Sequence, residues 1–143
     1  MEDDSVKLLR ECNAGIKMGI SSLDDVMDNV QNSQLREVLS KSRDKHCRLG
    51  NETHEYLTKY HDEGKEPAPM AKAMAKVKSN FQAMSEHPDA SIASMITDGC
   101  NMGIKSLYRY LNQYPAADKS VKNLANDIIK TEDELRQSLR PYL

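Results

Sequence analysis

The stretch CNAGIK at Cys12–Lys17 recurs almost unchanged as CNMGIK at Cys100–Lys105, with five of the six positions identical. Each copy lies in an amphipathic segment that is followed by a short polar connection and a second amphipathic segment. A repeat of this kind indicates one structural unit that is used twice. The sequence therefore predicts two related helical hairpins.

The hydrophobic pattern around both copies has a helical period. Apolar residues recur every three or four positions along four segments, which are Val6–Val30, Leu35–Tyr60, about 90–114 and Val121–Tyr142. Short polar turns separate the first segment from the second and the third from the fourth, so each pair should form an antiparallel hairpin. We expect Asp4 or Ser5, Asn32 or Ser33, and Asp118 or Ser120 to cap helix starts.

A longer segment joins the two hairpins. Hairpin 1 is predicted at about 4–63 and hairpin 2 at about 90–143, within one domain that covers 1–143. In the segment at about 64–89, Gly64 is expected to end the second helix, and Pro67 and Pro69 cannot continue one. The amphipathic stretch Met70–Met84 then predicts a short fifth helix in a crossover. The predicted fold class is all-α.

Composition excludes several functional classes. The chain has a formal net charge of −2, so it carries no large basic field that would hold nucleic acid. No window approaches the ~20 apolar residues of a membrane span, and the acidic start does not resemble a signal peptide, so we expect a cytoplasmic protein without membrane contact. Cys12, Cys47 and Cys100 are an odd number without CxxC spacing, which favours reduced thiols.

One polar residue interrupts the predicted inward stripe of each long helix. The four residues are Asn13, His46, Asn101 and Glu132. Counted from the turns at about 1.5 Å per residue, they fall within roughly one helical turn of the same level. We expect a hydrogen-bonded cluster in the bundle core that fixes register, with a weak single-metal site as the alternative.

Glycines lie one turn apart in the first helix of each hairpin. The two pairs are Gly15 with Gly19 and Gly99 with Gly103. Glycine costs about 1 kcal/mol against alanine inside a helix, so a compensating role is expected. We interpret the pairs as sites of close backbone approach between helices, and the alternative is that they are tolerated surface glycines.

A duplicated helical hairpin with a long crossover resembles the ferritin-like superfamily, and within it small bacterial members that have a short helix in the crossover. The resemblance covers nearly the whole chain and implies an up-down-down-up four-helix bundle. In members similar to rubrerythrin, each hairpin supplies a Glu from its first helix and a Glu-x-x-His pair from its second, and together they hold two metals. At those six positions this chain has Asn13, Arg43, His46, Asn101, Ile129 and Glu132.

These replacements decide the functional hypothesis. A binuclear iron or manganese centre needs several carboxylates to balance the ion charge, and too few remain. We expect no cofactor and a non-catalytic bundle that acts through protein contacts or self-association, for example as a homodimer. The alternative is a metal-binding oxidase or iron-handling protein with a rearranged iron or manganese site, built from His46, Glu132, Glu11 and Asp98. A third hypothesis is a coiled-coil-like interaction module with an open, extended form.

Overall fold

The computed structural model describes residues 2–62 and 87–143, and all regular structure within them is helical. The all-α prediction is confirmed for this part of the chain. The helices are α1 (Glu2–Met27), α2 (Ser33–Lys59), α3 (Pro88–Gln113) and α4 (Lys119–Leu139), followed by a 3-10 turn at Arg140–Tyr142. The predicted crossover helix at Met70–Met84 lies outside the described residues.

The four helices pack as two hairpins that contact each other. α1 packs chiefly on α2 and α3 chiefly on α4, and the hairpins meet where α2 contacts α4 and α1 contacts α3. The open, extended form considered from the sequence is therefore not the one observed. None of the helices within 2–62 and 87–143 is both long enough and apolar enough to cross a bilayer.

The turn of each hairpin is tied to the first helix of the other. At one end, the Asp89 carboxylate at the start of α3 accepts hydrogen bonds from the backbone N–H groups of Gln31 (2.8 Å) and Asn32 (3.1 Å). At the other end, Asp4 accepts from the N–H of Ala116 at 2.9 Å. These bonds place the α1–α2 turn beside the start of α3, and the α3–α4 turn beside the start of α1.

The predicted helix caps are only partly correct. Asn32 caps α2 as predicted, because its side-chain oxygen accepts from Gln34 N at 2.8 Å and Leu35 N at 3.0 Å. Asp4 and Ser5 do not cap α1, which already begins at Glu2. Ser5 instead accepts from the N–H of Asp118 at 2.8 Å. Its hydroxyl therefore binds a backbone donor of the α3–α4 turn and not one at the start of its own helix.

The prediction that the Asp118 side chain caps α4 is also wrong, because this side chain binds a group from the other hairpin. Asp118 stands at the N-cap position of α4, but its side chain makes no capping hydrogen bond. Its carboxylate accepts instead from the hydroxyl of Tyr60, near the end of α2. This contact joins the two hairpins at the end of the bundle where α2 ends and α4 begins.

The apolar core consists of two clusters, one towards each end of the bundle. The first includes Leu8, Leu9, Ile16, Leu57, Leu107, Val121, Leu124, Ile128 and Ile129. The second includes Leu23, Val26, Leu35, Leu39, Ile92, Ile96, Leu135 and Leu139. Along α2, the stretch between Leu39 and Leu49 separates the two clusters, and along α4 the stretch between Ile129 and Leu135 does so. The candidate site lies in these stretches.

Candidate functional site

His46 lies on the buried face of α2, where the sequence alternates Leu35, Leu39, Ser42 and His46 at helical spacing. Its side chain is 1% exposed. The ring atom Nδ1 lies 2.7 Å from the carbonyl oxygen of Ser42, one turn earlier. Because a carbonyl oxygen can only accept, this contact assigns a proton to Nδ1.

The second ring nitrogen faces the other hairpin. Nε2 of His46 hydrogen-bonds to Oε1 of Glu132, whose side chain is 13% exposed. Both ring nitrogens therefore face oxygen acceptors, which fits a doubly protonated, positively charged imidazole beside a carboxylate. Burial by itself would lower the pKa of His46, but the hydrogen bond and negative charge of Glu132, together with the Ser42 carbonyl, raise it overall.

Two of the four helix glycines make room for this pair. A Cβ added at Gly19 would lie 3.0 Å from Cδ2 and 3.1 Å from Nε2 of His46. A Cβ at Gly103 would lie 3.7 Å from Oε2 of Glu132, which is ordinary contact. The expected close approach of helix backbones is replaced here by the approach of a side chain, the His46 ring, to the α1 backbone at Gly19.

The other two glycines fit the alternative interpretation. Gly15 and Gly99 are exposed, and a Cβ added at either would meet nothing within 4 Å. They are surface glycines that no close contact requires. The two glycines of one helix therefore differ in role, although they are only one turn apart.

Cys100, which the sequence predicted only to be a reduced thiol, also belongs to this site. Burial first, and then the negative charge and hydrogen bond of the Glu132 carboxylate, raise the pKa of its thiol well above the ordinary value. Glu132 thus interacts with His46 from α2 and with Cys100 from α3. The only signal in the sequence was that Cys100 opens the second copy of the repeat.

The two other cysteines differ in exposure. Cys12 is buried, and burial followed by the charge of Glu11 raises the pKa of its thiol to about 12. Cys47 is half-buried and accepts a hydrogen bond from Nη1 of Arg43 at 3.6 Å. All three thiols are free, as the sequence predicted.

The structure separates the two asparagines that the repeat made equivalent. Asn13 is buried on α1 with 6% exposure. The prediction that Asn101 points into the core is wrong, since it is exposed and accepts a hydrogen bond from Nη1 of Arg136 at 3.1 Å. The buried face of α3 carries Ile96 and Cys100 instead, so the helix is rotated by one residue relative to the predicted stripe.

The remaining positions of the ferritin-like metal pattern also lack metal ligands. Arg43 turns to the surface and binds the carboxylate of Asp24, and Ile129 is part of an apolar cluster. In the rearranged set, Asp98 is exposed on α3, whereas His46 is buried and pairs with Glu132. Within 2–62 and 87–143, no three His, Cys, Asp or Glu side chains converge as a metal site.

Comparison with known proteins supports the fold. No protein-family model matches the sequence, and no curated protein matches it. Among solved structures, the chain is similar to the crystal structure of a DUF305 fragment from Deinococcus radiodurans, with a TM-score of 0.78 and 12% sequence identity. The match covers 96% of this chain and 93% of that chain. At this level of identity, the similarity shows a shared all-α helical bundle and nothing further.

Proposed function

We propose that the chain is a ferritin-like bundle in which a hydrogen-bonded His–Glu pair takes the place of a binuclear metal centre, and that it acts without catalysis through protein contacts or self-association. The observation that carries the proposal is the contact between His46 and Glu132. These are the two residues of the resemblance that could still bind metal, and each already uses the other as its partner.

The hydrogen bonds at the helix ends support the up-down-down-up order. If α1 runs up, α2 runs down, because a short turn joins them. Asp89 ties the start of α3 to that upper turn, which favours a downward α3. Asp4 ties the α3–α4 turn to the lower start of α1, which favours an upward α4. This is the order that the ferritin-like resemblance implies.

The residues at the expected ligand positions do not fit two metal ions. They supply one imidazole, one carboxylate, two amides, a guanidinium and an isoleucine, of which only the carboxylate brings negative charge to balance a divalent ion. The guanidinium of Arg43 would add positive charge. Because the donor set lacks the carboxylates that a binuclear centre needs, it does not fit the redox and oxygen chemistry of such a centre.

The two buried thiols, Cys12 and Cys100, do not supply a nucleophile. A nucleophilic cysteine requires a lowered pKa, whereas the pKa values of Cys12 and Cys100 are raised by burial and by neighbouring carboxylates. Two large hydrophobic side chains of α3 are exposed, Met102 at 64% and Tyr108 at 53%, and Met102, the more exposed, is the position we propose for a protein contact.

Metal analysis tests the proposal. The protein should be expressed in medium supplemented with iron and manganese, purified without chelator and analysed by plasma mass spectrometry. We expect well below one equivalent of either metal per chain, and the same background in the double variant His46→Gln/Glu132→Gln. About two equivalents of iron or manganese, lost in the double variant, would overturn the proposal in favour of a metal-binding oxidase or iron-handling protein.

Sedimentation equilibrium tests the second part. A homodimer or larger species that Met102→Glu disrupts would support self-association through α3, whereas exposed Lys119→Glu on α4 serves as a matched control. If the wild type and the Met102→Glu variant are both monomers, the self-association hypothesis is rejected. Contact with a different protein then remains as the proposed role.

A further inference from the structure

The outward side of α3 carries an exposed stripe of three residues at helical spacing. Asp98, Met102 and Lys105 follow one another four and three residues apart, so they lie on the same side of the helix. All three are exposed, and Met102 has the highest exposure, 64%, of the large hydrophobic residues within 2–62 and 87–143. An apolar side chain therefore stands in solvent between two opposite charges.

The two charges of this stripe cannot satisfy each other. Seven residues separate Asp98 from Lys105, which corresponds to about 10 Å along the helix axis. In the part of the chain that the structure describes, neither side chain has a hydrogen bond or an ion pair. Charges elsewhere on the surface are paired, for example Lys45 with Glu134 and Arg43 with Asp24. The stripe thus has a negative end and a positive end that are both open to a partner.

A second copy of the same stripe complements it when the two helices are antiparallel. A two-fold axis that crosses α3 just before Met102 places Asp98 of each copy opposite Lys105 of the other, with the two Met102 side chains at the centre. Arg109 then faces Ser94, so no like charges meet. A parallel pairing would instead set Asp98 against Asp98 and Lys105 against Lys105, which repel. The charge pattern therefore selects both the partner and its direction.

We propose that two copies of this chain associate through α3 in an antiparallel arrangement, with an Asp98–Lys105 ion pair on each side of a contact between the two Met102 side chains. This inference rests on the proposed function, because it names the surface for the self-association proposed above. One pair of helices buries less than the ~1,200 Å² of a standard interface, so the dissociation constant should be roughly 0.1 mM. The ion pairs determine the direction of pairing more than its strength.

Exchange of the charges tests this surface, with sedimentation equilibrium up to about 1 mM protein as the measurement. Asp98→Lys gives a face with two lysines, and Lys105→Asp gives a face with two aspartates. Each variant alone should dimerise at least about tenfold more weakly than the wild type, because attraction is replaced by repulsion. An equimolar mixture of the two variants should associate to within about threefold of the wild type, because each lysine of one face then meets an aspartate of the other.

Two matched variants on α4 provide the control. Asp127→Lys and Lys119→Asp make the same changes of charge at exposed positions and should leave association unchanged. Thermal melts verify that all four variants fold. A wild type that is monomeric at 1 mM, or a mixture that associates no better than its components, would overturn the inference.

The failure of this inference is distinguishable from the failure of the proposed function. A wild-type dimer that the changes at Asp98 and Lys105 do not affect would overturn the α3 surface and leave self-association in place through another surface. The metal analysis described above tests the proposed His–Glu pair independently, since Asp98 and Lys105 lie outside that pair.

Discussion

His46 on α2 and Glu132 on α4 hydrogen-bond through the core and so connect the two hairpins. Their side chains are 1% and 13% exposed, and apolar clusters lie on both sides of them along the bundle. A buried pair of this kind adds little net stability, because desolvation offsets the attraction. An arrangement of the hairpins that separates the two side chains would leave a buried polar group without its partner, which costs free energy. The pair therefore helps to specify how the hairpins dock.

A double-mutant cycle measures this coupling. Glu132→Leu leaves a buried imidazole without its acceptor and should lower the free energy of unfolding by about 3 kcal/mol, whereas His46→Leu/Glu132→Leu should return to within about 1 kcal/mol of wild type. Urea unfolding at neutral pH of these two variants and of the single variant His46→Leu gives the values that the cycle needs. The control is the exposed pair Lys45–Glu134, which joins the same two helices and should contribute under about 1 kcal/mol. Additive effects of the two leucine substitutions would contradict the prediction.

Stability should depend on pH through His46. Its pKa is raised in the folded state, so the stabilisation is complete below the unfolded pKa of about 6.5 and is lost as pH rises through the folded value. The difference in unfolding free energy between the wild type and His46→Gln should therefore shrink from about pH 6 to pH 9. A difference that stays constant or grows over this range would show that the charged imidazole is not the stabilising form.

Substitution of the glycines should separate the two roles found on α1. Gly19→Ala places a methyl group 3.0 Å from Cδ2 of His46, which is held by partners at both nitrogens and cannot move freely. We expect a loss of about 1 to 3 kcal/mol from overpacking. Gly15→Ala meets nothing within 4 Å and should stabilise the helix by about 0.5 to 1 kcal/mol. Equal thermal shifts in the two variants would sink this interpretation.

The three thiols should differ in reactivity. A thiol with a pKa of about 12, such as Cys12, has only about one thiolate in ten thousand molecules at pH 8. Cys100 is buried with a raised pKa, while Cys47 is half-buried. A disulfide reagent should therefore label Cys47 quickly. It should label Cys12 and Cys100 only as fast as local or global unfolding exposes them. Cys47→Ser should remove the fast phase, and a fast phase that persists in this variant would contradict the assignment.

The helices were predictable because their apolar spacing is regular. On α4, the apolar members of the predicted stripe within the helix are buried, namely Val121, Leu124, Ile128, Leu135 and Leu139, whereas Glu132 and Tyr142 of the same stripe are half-buried. The third helix begins at Pro88, slightly before the predicted start, because proline fits the first turn of a helix. Local patterns of this kind determine element type well.

The details of the site were less predictable. One residue corresponds to a rotation of about 100° around a helix, so the repeat could not decide whether Cys100 or Asn101 faces the core. Asp4, Ser5 and Asp89 have the chemistry of local caps, but tertiary contacts supply competing donors from the opposite turn. The sequence placed His46 and Glu132 at a similar level of the core, but their direct contact depends on how the two hairpins dock, which no local pattern encodes.

The protonation of His46 tests the central claim most directly. Long-range ¹H–¹⁵N spectra at about pH 6.5 should show both ring nitrogens protonated, and addition of Mn²⁺ should not broaden the His46 signals. Exposed His54 provides an internal reference for a histidine outside the core. An unprotonated Nε2 whose signals are broadened selectively by Mn²⁺ would mean that His46 is still a metal ligand. This result would contradict the claim that the hydrogen-bonded pair with Glu132 replaces the metal centre.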